Sequence, residues 1–155
     1  MTDEDYIRLA IEEAQEAALA GEVPVGAILV CSGIVLSLGQ NRVVRDSDPT
    51  AHAEIVAMRA AAQTNSNYRL SGCVLYATLE PCAMCAGAMI HARLDRLVYA
   101  ADDPKAGAAG SVLSVLNHPR LNHQMEVTRG IMAAECGELL RGFFRERRGI
   151  IDPDN

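Results

Sequence analysis

Several catalytic signatures are missing from this 155-residue chain. It has no Walker A lysine loop, no Rossmann glycine fingerprint, no G-x-S-x-G nucleophile elbow and no H-E-x-x-H helix, so no nucleotide cofactor or serine-hydrolase chemistry is expected. It also lacks internal repeats, low-complexity tracts and any linker-like stretch. One domain over residues 1–150 with a short tail at 151–155 is the expected organisation. The first ten residues, MTDEDYIRLA, have neither the basic start nor the apolar centre of a signal peptide, so nothing points to export. Val23 to Asn41 contains no charge at all and approaches the length of a membrane span. Pro24 near its start, the turn signal Cys31-Ser32-Gly33 in its middle and its Val, Ile and Leu content argue instead for two buried strands joined as a hairpin, so no membrane partner is expected.

Five cysteines in a chain without a secretory mark argue against a disulfide framework and for thiols or metal ligands in a reducing, cytoplasmic setting. The formal charge of -6 by itself discourages phosphate binding, which depends on Lys and Arg displacing counterions. The charge is unevenly spread, however. Asp3, Glu4, Asp5, Glu12, Glu13 and Glu16 crowd the first helix, whereas LLRGFFRERRG near the carboxyl end is locally basic. An acidic protein with one basic edge is the result.

Ile7, Ala10, Ile11, Ala14, Ala17 and Ala18 recur at helical spacing between Thr2 and about Ala20. Thr2 and Asp5 can form a capping box, and Gly21 can end that helix. After the hairpin, Asp48-Pro49-Thr50 signals a helix start, and AHAEIVAMRAAAQ is dense in helix formers until TNSN breaks it. Cys73–Leu79 reads as a strand, CAMCAGAMIHA as a short apolar helix and Arg96–Ala100 as the next strand. A long loop follows, with one helical turn near SVLSVL, then a last strand in MEVTRG and a closing helix from Ala133 to about Arg148. This order implies a layered α/β fold, with crossovers making most of the sheet parallel and helices covering both faces.

Cys82 and Cys85 stand at i and i+3 where a strand gives way to a helix. One helical turn can aim both sulfurs at one object, and the helix dipole there favours thiolate. Taken alone, the pair reads equally as a metal site, a redox C-x-x-C or two unrelated core cysteines. His52, at the start of another helix that follows a strand, can approach them across the strand ends. Three N/S ligands leave the fourth position of zinc open to water, as catalytic sites require. Glu54 can converge on the same point only if His52 is barely helical. An apolar stretch does not bury a carboxylate without a partner, so Glu54 reads as a general acid/base rather than a ligand or a surface residue.

The combined pattern, H-A-E followed by P-C-x-x-C, resembles the zinc-dependent nucleobase deaminases. With EVPVGA, DPTAHAE, NYRL, TLEPCAMCAGAMIHAR, GAAGS and FFRERR, the likeness extends from about Glu22 to Arg148 and points to the bacterial tRNA-specific adenosine deaminases. That resemblance implies a three-layer α/β/α fold of the cytidine-deaminase type, with a five-stranded mixed sheet, an initial antiparallel hairpin and helices on both faces. It implies a homodimer, one zinc ion per chain and hydrolytic conversion of the wobble adenosine of a tRNA anticodon to inosine. A zinc-activated water would attack C6 of a flipped-out adenine, with Glu54 shuttling protons.

Carried over by motif, Asn41 would hydrogen-bond the base or its sugar, and Val23, Pro24, Thr50 and Ala51 would line the pocket; Asn41 also fits a plain strand-ending turn. The DDPKAGAAGS loop matches the family except that Ala106 stands where some members have Thr, which removes one polar contact. Asp103 and Lys105 of that loop would lie beside the RNA backbone, although Pro104 and Gly107 suit a solvated loop equally. Arg141, Arg145, Arg147 and Arg148 fit a helix C-terminus electrostatically. Phe143 and Phe144 are the only two phenylalanines in the chain, and adjacent helical positions cannot both enter one narrow core stripe. An exposed ring beside arginines suits a splayed base with its phosphates held alongside, here in the anticodon stem-loop.

Overall fold

The computed structural model describes the backbone of residues 1–151 and the side chains of residues 1–148. Helix α1 spans Asp3–Leu19. Its start is fixed by the Thr2–Asp5 capping box: Asp5 N–H donates to Thr2 Oγ1 at 3.2 Å, and Thr2 N–H donates to Asp5 Oδ2 at 2.8 Å. Tyr6, Ile7, Ala10, Ala14 and Ala17 form its buried stripe, and Gly21, at φ +82°, lets the chain leave it.

The uncharged segment becomes β1 (Gly26–Cys31) and β2 (Ile34–Gln40). Ser32 and Gly33 both take positive φ, 50° and 74°, as a two-residue hairpin turn demands. β1 is apolar throughout because it is an interior strand covered on both faces, while β2, on the sheet edge, shows mixed exposure. Among the described residues no helix is long and apolar enough to cross a membrane.

α2 (Ala53–Asn65), β3 (Cys73–Leu79), α3 (Ala83–His91), β4 (Arg96–Ala101), β5 (Glu126–Arg129) and α4 (Ala133–Ile151) complete the order. The five-stranded sheet runs β2-β1-β3-β4-β5. α1 and the start of α4 pack on one face, α2 and α3 on the other, which gives the three layers. The parallel content falls short of expectation: β3–β4 and β4–β5 are parallel, but β1–β2 and β1–β3 are antiparallel. The crossover through α2 does return β3 parallel to β2, but over β1, which then sits between them and runs the other way. α4 continues to Ile151, and 152–155 of the expected tail lies outside the described residues.

Two further expectations are corrected. Residues 111–116 contain no helical turn. Val112 and Leu113 N–H donate back to Gly107 O and Val115 N–H to Ala108 O, spacings longer than the i−4 bonds of a helix. The cysteines, moreover, are not all thiols or ligands. Register places Cys31 directly opposite Cys73, with 4.3 Å between Cα atoms, and they form a disulfide. Closing its 42-residue separation is worth about 4 kcal/mol in the chain-entropy account. Denatured, metal-free protein should therefore show three reactive thiols (Cys82, Cys85 and Cys136) without reductant and five with it. Five in both conditions would mean that the pair is reduced.

Two glycines set how closely helices lie on the sheet. A Cβ on Gly26 would stand 1.9 Å from Ala10 O, and one on Gly39 would stand 2.2 Å from Ala53 O. The first turn of α2 thus rests directly on the backbone of β2.

Candidate metal centre and substrate pocket

His52 and Cys82 occupy equivalent places: each is the N-cap of a helix, α2 and α3, with extended backbone angles of φ -68°, ψ 154° and φ -76°, ψ 176°. Neither side chain caps its own helix, although this is the position where Ser, Thr, Asp or Asn normally satisfies a free N–H. The two side chains meet each other instead. Nδ1 of His52 lies 3.6 Å from Cys82 Sγ and 3.5 Å from Cys85 Sγ, one turn further into α3. These three residues form the only group of three or more His, Cys, Asp or Glu among the described residues whose donor atoms could hold one metal ion.

The fit to zinc can be tested by distance. With bonds of about 2.3 Å to sulfur and 2.05 Å to nitrogen, the N···S edge of a tetrahedron is about 3.6 Å, which the two observed separations match. Three donors leave one corner of that tetrahedron free. Both helix N-termini face the site and favour negative charge there. Hydrogen bonds from Cys85 and then His52 hold the Cys82 thiol far below its ordinary range, and the hydrogen bond with Cys82 together with burial pushes Cys85 up.

Glu54 lies in the first turn of α2, 4% exposed, and its Oε1 has no hydrogen-bond partner among the described residues. Burial raises its carboxyl above the usual range. Because the backbone at His52 is extended, Glu54 and His52 line the same cavity of about 220 Å³, together with Cys82, Asn41, Val23 and Asp103. That volume is smaller than a pocket for a drug-sized ligand and suits one planar base. Pro24, Thr50 and Ala51 stand apart from it. Pro24 and Ala51 are buried, and the Thr50 hydroxyl donates to Asp48 Oδ1 at 2.7 Å and accepts from Arg59. Asn41 Nδ2 donates to Val23 O at 3.4 Å, and Val43 N–H donates to Asn41 Oδ1 at 3.4 Å.

A second cavity, of about 550 Å³, shares Val23, Asn41 and His52 with the first and reaches Phe143, Phe144, Arg147 and Arg148 of α4. A cleft of about 330 Å³ continues from Phe144 and Arg148 to Lys105, Arg141 and Arg145. The fold therefore brings the basic, aromatic end of the chain to the mouth of the pocket. Phe144 is 43% exposed, Phe143 is half-buried, and Arg147 lies over the Phe143 ring at 5.1 Å from its centroid. A further cavity, of about 920 Å³ between α1 and α4, contains none of the metal donors.

The MafB19-like deaminase family matches residues 1–148. The tRNA-specific adenosine deaminase of Haemophilus influenzae is 48% identical over 147 residues, which cover 94% of this chain and 85% of that protein. The chain belongs to the tRNA-specific adenosine deaminase family. Among solved structures, a tRNA:A34 deaminase studied for A-to-I editing at the wobble position of transfer RNA superposes on this deaminase with a TM-score of 0.85 at 43% identity, covering 88% of this chain and 99% of that one. The guanine deaminase of Nitrosomonas europaea gives 0.76 at 27% identity, covering 90% and 83%.

Sequence reasoning missed two buried residues of this deaminase, Glu22 and Glu80, which are 1% and 2% exposed. Glu22 accepts from Val44 N–H, Arg45 N–H and Arg45 Nε, and so fixes the turn that follows Asn41. Glu80 does the same for the loop after β4. The signal was available: both are carboxylates inside apolar motifs, the feature that singled out Glu54.

Proposed function

We propose that this chain converts the wobble adenosine of a tRNA anticodon to inosine by zinc-dependent hydrolysis, adenosine and water giving inosine and ammonia. The carrying observation is the buried Glu54 carboxylate, whose Oε1 has no partner among the described residues, in the same small cavity as His52 and Cys82. His52, Cys82 and Cys85 would hold one zinc, which when bound supplies a water activated for attack near neutral pH. Glu54 carries one proton of the attacking water to the ring nitrogen and then the second, from the hydroxyl formed at C6, to the departing amino group, which leaves as ammonia. Asn41 hydrogen-bonds the base or sugar, and free N–H groups at the start of α3 face developing negative charge. The work is done by a single deaminase domain in the cytoplasm, acting as a homodimer as the family resemblance implies.

The substrate reading is supported by α4. A free-base enzyme has no use for two phenylalanines and several arginines at its pocket mouth, whereas a splayed anticodon loop can stack on the rings and place phosphates against Arg145, Arg147, Arg148 and Lys105. Arg145 pairs with Glu138 at 2.5 Å, and Arg147 donates to Gly21 O at 2.5 Å. Exposed pairs of this kind are worth little and can be exchanged for phosphate. Asp103 sits at the pocket wall, where it would meet the nucleotide rather than the phosphates.

Incubation with an anticodon stem-loop, the same sequence locked in a duplex and free guanine should yield inosine from the stem-loop alone, since unpairing costs little in a loop. Ammonia from guanine with none from RNA would favour the free-base reading. Neutralising Arg145, Arg147 and Arg148 together should weaken stem-loop binding and reduce the slope of log affinity against log salt by about 2, at roughly 0.7 for each phosphate that is no longer neutralised. An unchanged slope would mean that these arginines only cap the helix.

A further inference from the structure

The loop that supplies Asp103 and Ala106 to the pocket wall has little regular structure of its own. The backbone N–H groups of Asp103, Ala109 and Ser111 all point to one acceptor. Glu80 Oε1 takes Asp103 N–H at 3.0 Å and the Ser111 hydroxyl; Oε2 takes Ala109 N–H at 2.9 Å and Ser111 N–H at 3.1 Å. The carboxylate is thus buried against four donors from a single loop, with no cation among them. Charge-assisted hydrogen bonds of this kind are roughly twice as strong as neutral ones. Gly107 lies so close that a Cβ would stand 2.3 Å from the carboxylate carbon, so the loop wraps the group tightly. Asp103 Oδ1 then accepts from Lys105 N–H at 3.0 Å and Ala106 N–H at 3.2 Å, passing the order on to Ala106. Glu80 precedes Pro81 and Cys82, at the strand end that also launches the metal-bearing helix.

We propose that Glu80 is a positioning residue for the deaminase reaction: its buried carboxylate clamps the 103–111 loop and so holds the Asp103–Ala106 wall of the base pocket in register with the metal centre. It does not act on the reacting atoms, because both oxygens are occupied by the loop. The inference rests on the reading of this cavity as the base pocket. Rigid support of this sort fixes the substrate within the narrow geometry that turnover needs.

Glu80→Gln keeps the size and one acceptor but turns an amide NH₂ toward backbone donors. In the zinc-loaded variant, amide exchange over 103–111 should accelerate at least about tenfold while the 83–91 helix and the zinc content stay as in the parent. KM for the stem-loop should rise about tenfold, the scale of one charge-assisted bond removed, with kcat changed much less. Ser111→Ala removes part of the clamp and should give intermediate values, which keeps the test available if the Gln variant does not fold. Unchanged exchange in the loop, or an unchanged KM beside a lowered Tm, would overturn the proposal. So would loss of zinc together with activity, since Glu80 would then act through Cys82. If the parent itself leaves the stem-loop intact, the proposed function fails, and loop exchange still decides whether the clamp exists.

Discussion

Glu54→Gln should yield a folded protein that still binds one zinc per chain and turns over at least about 10³-fold more slowly, within the range that a positioned acid/base contributes. Gln fills the same volume, so the cavity and the three donor atoms keep their places. It cannot take up and release a proton. The unpartnered Oε1 makes this a sharp test: burial works against the charged form of this carboxyl, so a neutral amide of the same size should leave the thermal midpoint unchanged or higher. Single-turnover deamination and elemental analysis on the same sample check both halves. Zinc lost along with turnover would make Glu54 a ligand, and turnover near the parental rate would leave it without a catalytic role.

The second large effect is expected at Cys85. It is fully buried, its Sγ is 3.5 Å from His52 Nδ1, and it supplies one of only three donors. Cys85→Ala should reduce zinc affinity by more than about 100-fold, because loss of even an outer-shell partner costs 10–100-fold, and activity should vanish with the metal. The disulfide at the far end of β1 and β3, together with the intact sheet, should keep the variant folded, so circular dichroism separates metal loss from unfolding. Full occupancy by elemental analysis would remove Cys85 from the ligand set.

The elements were legible where local chemistry decides them. The Thr2–Asp5 capping box, the Ser32-Gly33 turn and the break within TNSN all act within a few residues, and α1, the hairpin and the end of α2 stand where those signals put them. The pattern at His52, Glu54, Cys82 and Cys85 was equally local, two helix starts each carrying its own donors. What stayed hidden depends on tertiary placement. β1 between β2 and β3 cannot be read from connection lengths, and the Cys31–Cys73 pair exists only through that placement. The 103–116 loop likewise follows Glu80 rather than its own SVLSVL pattern.

Gly39 touches no ligand, donor or base, yet the absence of its side chain lets Ala53 O approach the β2 backbone, and Ala53 separates His52 from Glu54. The tolerances of the reaction are therefore written partly into a sheet edge. A single methyl group added there would lift the start of α2 and displace the histidine and the glutamate together, as one rigid piece. An inventory of the residues lining the pocket would never name Gly39, although it lies directly under the segment that carries both His52 and Glu54.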